Sequence, residues 1–172
     1  MRLFSVSTAT AAALALLTTA LAARADTATI TVSGRVLPGT CTLADLTVPL
    51  DDIEAGDVTA GQASGLKPGA LNLTGCAGVA SVDLSFDGTA DAAQDNHWRN
   101  SAASSPASGV AVALLEGTSG TTYLQKGDTT TVTVGGASAA KLDVRAGYYR
   151  KSGTAMTAGA VSTQVTVTAE YK

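Results

Sequence analysis

An all-β sandwich or barrel is the fold class this sequence predicts, on three observations. Apolar and polar residues alternate in short stretches along most of the chain, the period-two pattern of strands with one buried face. Clusters of Gly, Asp, Ser and Pro separate these stretches at close intervals, as the turns of antiparallel sheets require. Aromatics make up only 4% of residues, while Thr, Val, Ala and Gly abound. That composition suits sheets packed through small side chains better than a helical bundle.

The first 25 residues stand apart. Arg2 supplies a positive start, residues 11–23 are apolar apart from Thr18 and Thr19, and Ala23-Arg24-Ala25 fits a small-x-small cleavage site. A membrane-spanning helix needs about 20 apolar residues. This run is shorter and reads as a secretory signal peptide. Residues 26–172 then make one domain's worth of chain. Without Arg2 and Arg24, 9 of the 11 basic residues remain against 14 acidic ones, a net charge of −5. An acidic, sparsely charged surface argues against nucleic acid, whose phosphates demand basic patches.

The mature chain opens with residues 29–37, predicted as a strand. Ala28, Ile30, Val32, Gly34 and Val36 occupy one parity, and Thr and Ser dominate the other. Residues 43–50 form a second candidate, ended by Asp51-Asp52. Residues 70–76 and 79–86 follow, the latter with Val82, Leu84 and Phe86 in phase and Asp87-Gly88 as its turn. Residues 109–115 are continuously apolar, which predicts a strand covered on both faces. Residues 121–124 extend it after a Gly-Thr-Ser-Gly turn. Residues 130–134 and 141–149 are the next strands. The chain closes on residues 161–171, with Val161, Thr163, Val165, Val167, Ala169 and Tyr171 alternating against polar neighbours.

Cys41 and Cys76 are the two cysteines. In an exported chain they read as one disulfide. Closing a loop of that length stabilises the fold by roughly 4 kcal/mol in chain-entropy terms.

Candidate chemistry is thin. His97 is the single histidine, and nothing marks a nucleophile such as a Gly-x-Ser-x-Gly elbow. It reads as a loop residue beside an exposed Trp98, within a polar excursion over residues 90–108. Asp87, Asp91 and Asp95 recur every four residues but lack the calcium-loop pattern and its terminal Glu. Residues 127–136 are glycine-punctuated without a Gly-Lys-Ser/Thr element. Asn72-Leu73-Thr74 matches a glycosylation acceptor inside a predicted strand. The expectation is a non-enzyme with no metal and no cofactor.

Several pieces in order carry a resemblance: Ile30-Thr-Val-Ser-Gly-Arg-Val36 before Cys41; Leu71-Asn-Leu-Thr-Gly-Cys76; Gly109-Val-Ala-Val-Ala-Leu-Leu115; and the end from Thr157-Ala-Gly159 to Tyr171. The chain resembles the pilin subunits of chaperone–usher fimbriae of the type 1 pilus kind. Gly159 lies fourteenth from the last residue and Tyr171 is penultimate, as in that family. The resemblance implies an incomplete immunoglobulin-like β-sandwich lacking its last strand, completed by donor-strand exchange. A periplasmic chaperone first lends a strand; the N-terminal extension of another subunit then replaces it, at an outer-membrane usher. Residues 26–36 would be the donor segment, through Ala28, Ile30, Val32, Gly34 and Val36, overlapping the first strand of a pilin domain over 30–172. Gly159, Val161, Val165, Val167, Tyr171 and Lys172 would form the acceptor groove and chaperone site. The product would be a pilus on the bacterial surface used for cell adhesion. The second reading is a minor or tip-associated subunit binding host glycan through the Trp98 loop. A dedicated adhesin's extra lectin domain has no room in this chain.

Overall fold

The structure, a computed structural model, describes residues 27–91 and 97–172. Among them are eight strands: β1 (Thr40–Leu43), β2 (Ala63–Ala77), β3 (Ser81–Gly88), β4 (Trp98–Arg99), β5 (Val110–Glu116), β6 (Thr129–Thr133), β7 (Ala139–Arg150) and β8 (Val165–Tyr171). No described residue is helical. The predicted signal segment and Asp95 lie outside the described residues.

The strands form two antiparallel sheets, ordered β1-β2-β7-β5-β4 and β6-β3-β8. Alternation explains how they pack. Val82, Leu84 and Phe86 of β3 project from one face and are 0–1% exposed. They meet Leu71 and Leu73 of β2, Val112 of β5, and Leu142 and Val144 of β7 in one core. Intersheet packing of inward-facing side chains is the defining layer of a sandwich.

The apolar run of β5 is buried on both faces, as its sequence predicts. Val112 enters the main core, while Ala111, Ala113 and Leu115 join Tyr149 in a second cluster on the outer face. The extension over residues 121–124 covers that face: Tyr123 bridges Leu115, and the Leu124 amide donates to the Leu114 carbonyl at 2.8 Å.

Three expectations change. Residues 29–37 form no strand, and the first strand begins at Thr40. Alternation marks a strand's faces but supplies no ladder partner, and here none is present among the described residues. The strand expected over 43–50 ends at Leu43, and only the Ala44 amide continues its pairing, to the Asn72 carbonyl at 3.1 Å. Trp98, finally, is not exposed in the polar excursion. Trp98 is 0% exposed, and its indole N–H donates to the Leu124 carbonyl at 2.9 Å. His97 is buried too, stacked on Tyr149 with ring centroids 3.8 Å apart and edge-on to Tyr123. Asp91 is buried and ion-paired with Lys151. A single large indole fills more core volume than any neighbour, so burying it outweighs the polarity of its flanks.

Candidate functional site

β1 ends the five-stranded sheet and β8 ends the three-stranded one. Both border the same core. Cys41, Leu43 and Leu46 on one side, and Val161, Val165, Val167, Ala169 and Tyr171 on the other, pack against it while staying only partly buried. The result is an apolar seam whose floor is buried core and whose rims are half-covered.

The local sequence explains both walls. β8 alternates strictly, with Val165, Val167, Ala169 and Tyr171 half-buried and Thr166, Thr168 and Glu170 exposed. Its ladder with β3 runs from Gly88↔Val165 to Val82↔Tyr171. Lys172 exchanges both backbone bonds with Ser81, at 2.9 and 3.2 Å. Antiparallel ladders alternate bonded and non-bonded pairs. The even-numbered residues Thr166, Thr168 and Glu170 therefore direct their amides and carbonyls at β3. Val165, Val167, Ala169 and Tyr171 direct theirs at the free edge. The same four residues thus carry both the apolar side chains and the unsatisfied backbone groups of this wall.

β1 pairs β2 through Thr42↔Thr74 and Leu43↔Leu73. The Cys41–Cys76 disulfide ties the same two strands, with Cα atoms 4.2 Å apart. Leu46 and Val48 then lie over Gly69 of β2, where a Cβ would approach them to 3.1 and 2.9 Å. This second wall was not legible as a wall: Cys41 and Leu43 share one parity, but Leu46 breaks the period.

The two walls run in opposite directions. At one end the Tyr171 hydroxyl donates to the Cys41 carbonyl at 2.8 Å. At the other a cavity of about 390 Å³ lies among Ile53, Ala55, Ala107, Tyr148, Met156, Gly159 and Val161, with Asp52 and Glu54 on its rim. Desolvation, then Asp52 and Asp51, raise the Tyr148 hydroxyl's pKa above its ordinary value, and that hydroxyl donates to the Asp51 carbonyl at 2.9 Å. β8 from Val165 to Tyr171 spans about 20 Å at roughly 3.3 Å per residue.

Gly159 is not a floor residue. A Cβ there would sit 2.4 Å from the Ser105 carbonyl oxygen and 2.5 Å from the Ala107 nitrogen. Its role is close backbone approach, which lets Ala160 bond Ser105 and Ala107 at 2.8 and 2.9 Å and aims the chain into β8. Lys172 faces away from the seam: its ammonium pairs with Asp83. That contact and the Thr131 hydroxyl hold the Asp83 pKa below the ordinary carboxylate value, while the same pairing raises that of Lys172.

The N-terminal segment shows the converse arrangement. Ile30, Val32 and Val36 are 86, 89 and 98% exposed. Ala28 is exposed as well, and nothing lies within 4 Å of a Cβ placed on Gly34.

A family model described as Fimbrial protein matches residues 30–172. No curated protein sequence matches the chain. Among solved structures it is similar to a Burkholderia pseudomallei antigen and type I fimbria protein, at 23% identity and TM-score 0.59, over 78% of this chain and 91% of that one. The P pilus rod subunit PapA is similar at 17% identity and TM-score 0.61, over 77% and 99%. The CupB6 tip adhesin from Pseudomonas aeruginosa is similar at 19% identity and TM-score 0.62, over 77% of this chain and 38% of the adhesin. These likenesses show a shared immunoglobulin-like fold.

Proposed function

The chain belongs to the fimbrial protein family, and we propose that its seam is the assembly site of a structural subunit that polymerises by donor-strand exchange. One observation carries the reading. β8 presents a free backbone edge and a half-buried apolar face, while residues 27–37 carry the same alternation with its apolar members exposed. Each is half of a sandwich edge.

Strand addition would satisfy both halves. The incoming backbone bonds Val165, Val167 and Ala169, and alternate side chains enter the half-covered floor. Ala28, Ile30, Val32 and Val36 are the donor side chains, and Gly34 is where the donor backbone comes closest to the floor. Left open, such an edge is an aggregation hazard. A periplasmic chaperone lending a strand before an outer-membrane usher completes the exchange answers that hazard. The product is a fimbrium on the bacterial surface that serves adhesion. Trp98 is buried, so the second reading, a minor or tip-associated subunit, loses the stacking residue assigned to it.

Deleting residues 26–36 tests the donor role. The truncated subunit should still co-purify with its chaperone yet fail to join a fibre through its own N-terminus. Normal fibre growth with the truncated subunit would refute the assignment.

A further inference from the structure

We infer that Tyr171 is an end stop, fixing how far along the seam an incoming strand reaches and hence its register; the inference rests on the strand acceptance proposed above. The problem it solves lies in the donor pattern. Residues 28, 30, 32 and 36 present apolar side chains on one face with Gly34 among them, and a slip of two residues keeps every side chain on its face, opposed only at the Gly34 position. Period-two patterning forbids one-residue slips but not two-residue ones. A stop at one end sets the position independently of that glycine.

The seam's two ends differ. Three strands side by side place the outer pair roughly 9.5 Å apart, twice the ladder spacing of about 4.8 Å. β1 and β8 instead come within 8 Å of each other, and the Tyr171 hydroxyl crosses between them to the Cys41 carbonyl at 2.8 Å. No strand fits through that closure. Each partner is anchored in a different sheet. Cys41 is fixed to β2 by its disulfide, and Tyr171 lies in the β3 ladder opposite Val82, next to the Lys172–Ser81 pair. The opposite end opens into the 390 Å³ cavity beside Val161. The seam is therefore closed at Tyr171 and roomy at Gly159.

The test compares the dilute full chain with Tyr171→Phe, which keeps the ring and loses the donor. The probes are a peptide of residues 27–37 and two longer versions with Thr-Val added at the amino or the carboxyl end. Against the native chain, lengthening at the end that meets Tyr171 should add no affinity. Against Tyr171→Phe the same lengthened peptide should bind about fivefold to tenfold tighter than the parent, the return from one more ladder bond and a buried side chain. The readout is the ratio of lengthened to parent affinity within each chain, so any effect of the substitution on the parent peptide cancels. Identical ranking of the three peptides by the two chains overturns the end stop. So does a parent peptide that gains as much as the lengthened one, since Tyr171 would then be a gate rather than a stop. Failure of all peptides to bind the native chain overturns strand acceptance itself. Matching circular dichroism melts establish that the variant is folded.

Discussion

β3 and β8 are neighbours in one sheet with the same alternation, yet they end in different states. Val82, Leu84 and Phe86 of β3 are sealed in the core. Their ladder partners Tyr171, Ala169 and Val167 are only half-buried. Sequence does not separate them; position does. β3 lies between β6 and β8, whereas β8 has β3 on one side and a free edge on the other. Sheet-end position alone does not leave a face open, since Trp98 of β4 and Val132 of β6 are buried; at β8 no neighbour covers the lateral side, and its half-buried Val-rich face is a statement about that missing neighbour.

The largest expected effect separates the two strands through one cross-strand pair. Phe86→Ala should lower unfolding free energy by about 3–5 kcal/mol, with or without a bound strand. Val167→Ala, directly opposite it, should cost about 1 kcal/mol in the free chain, because a half-covered side chain forfeits less. With a peptide of residues 27–37 bound, its cost should grow. Urea titrations of both variants, with and without peptide, measure this; equal costs for the two in the free chain would erase the distinction between floor and rim.

Next comes the second wall. Replacing Cys41 and Cys76 together by Ser should cost roughly 4 kcal/mol by the loop-entropy account, and should also lower peptide affinity by loosening β1. Unchanged peptide affinity in the folded fraction would mean that β1 is not part of the site.

A proline pair then reads the backbone of β8. Thr168→Pro removes an amide directed at β3 and leaves a carbonyl unpaired, a loss of about 1–3 kcal/mol in the free chain. Ala169→Pro removes an amide directed at the free edge, where proline is tolerated best. It should disturb the free chain less and weaken peptide binding about tenfold. Reversed effects would show that the parity assigned to β8 is wrong.

The smallest effect is electrostatic. Lys172 and then Thr131 depress the Asp83 pKa. The contribution of that carboxylate is therefore present above the ordinary Asp range and fades as pH falls through the depressed value. Asp83→Asn should flatten the acid limb of the stability profile, slightly, because exposed pairs contribute little. An unchanged acid limb would remove this tether from the account of how β8 is held.

Much of this was readable in the sequence because alternation reports a strand's faces. β3, β5, β7 and β8 all lie where their patterns place them, within a few residues. Two kinds of feature escaped. The first half of β2 contains Gly65, Pro68 and Gly69, which read as turn residues. Gly69 is there because Leu46 and Val48 cross close above it, a tertiary cause with no local signature. Trp98 was misread because its neighbours are polar; its burial depends on Leu124, 26 positions away. The same limit applied to the seam. One wall was visible in residues 161–171, but the other emerged only when the disulfide and Tyr171 brought Cys41 alongside. Alternation over residues 29–37 also overstated local structure, since a pattern fit for a strand does not supply the strand's partner.

Amide hydrogen exchange on the dilute full chain, with and without the peptide of residues 27–37, tests the central claim most directly. The account predicts that the peptide slows exchange at Val165, Val167 and Ala169, whose amides face the free edge, and leaves Thr166, Thr168 and Glu170, already bonded to β3, nearly unchanged. Bound peptide with no new protection at those three amides would contradict it.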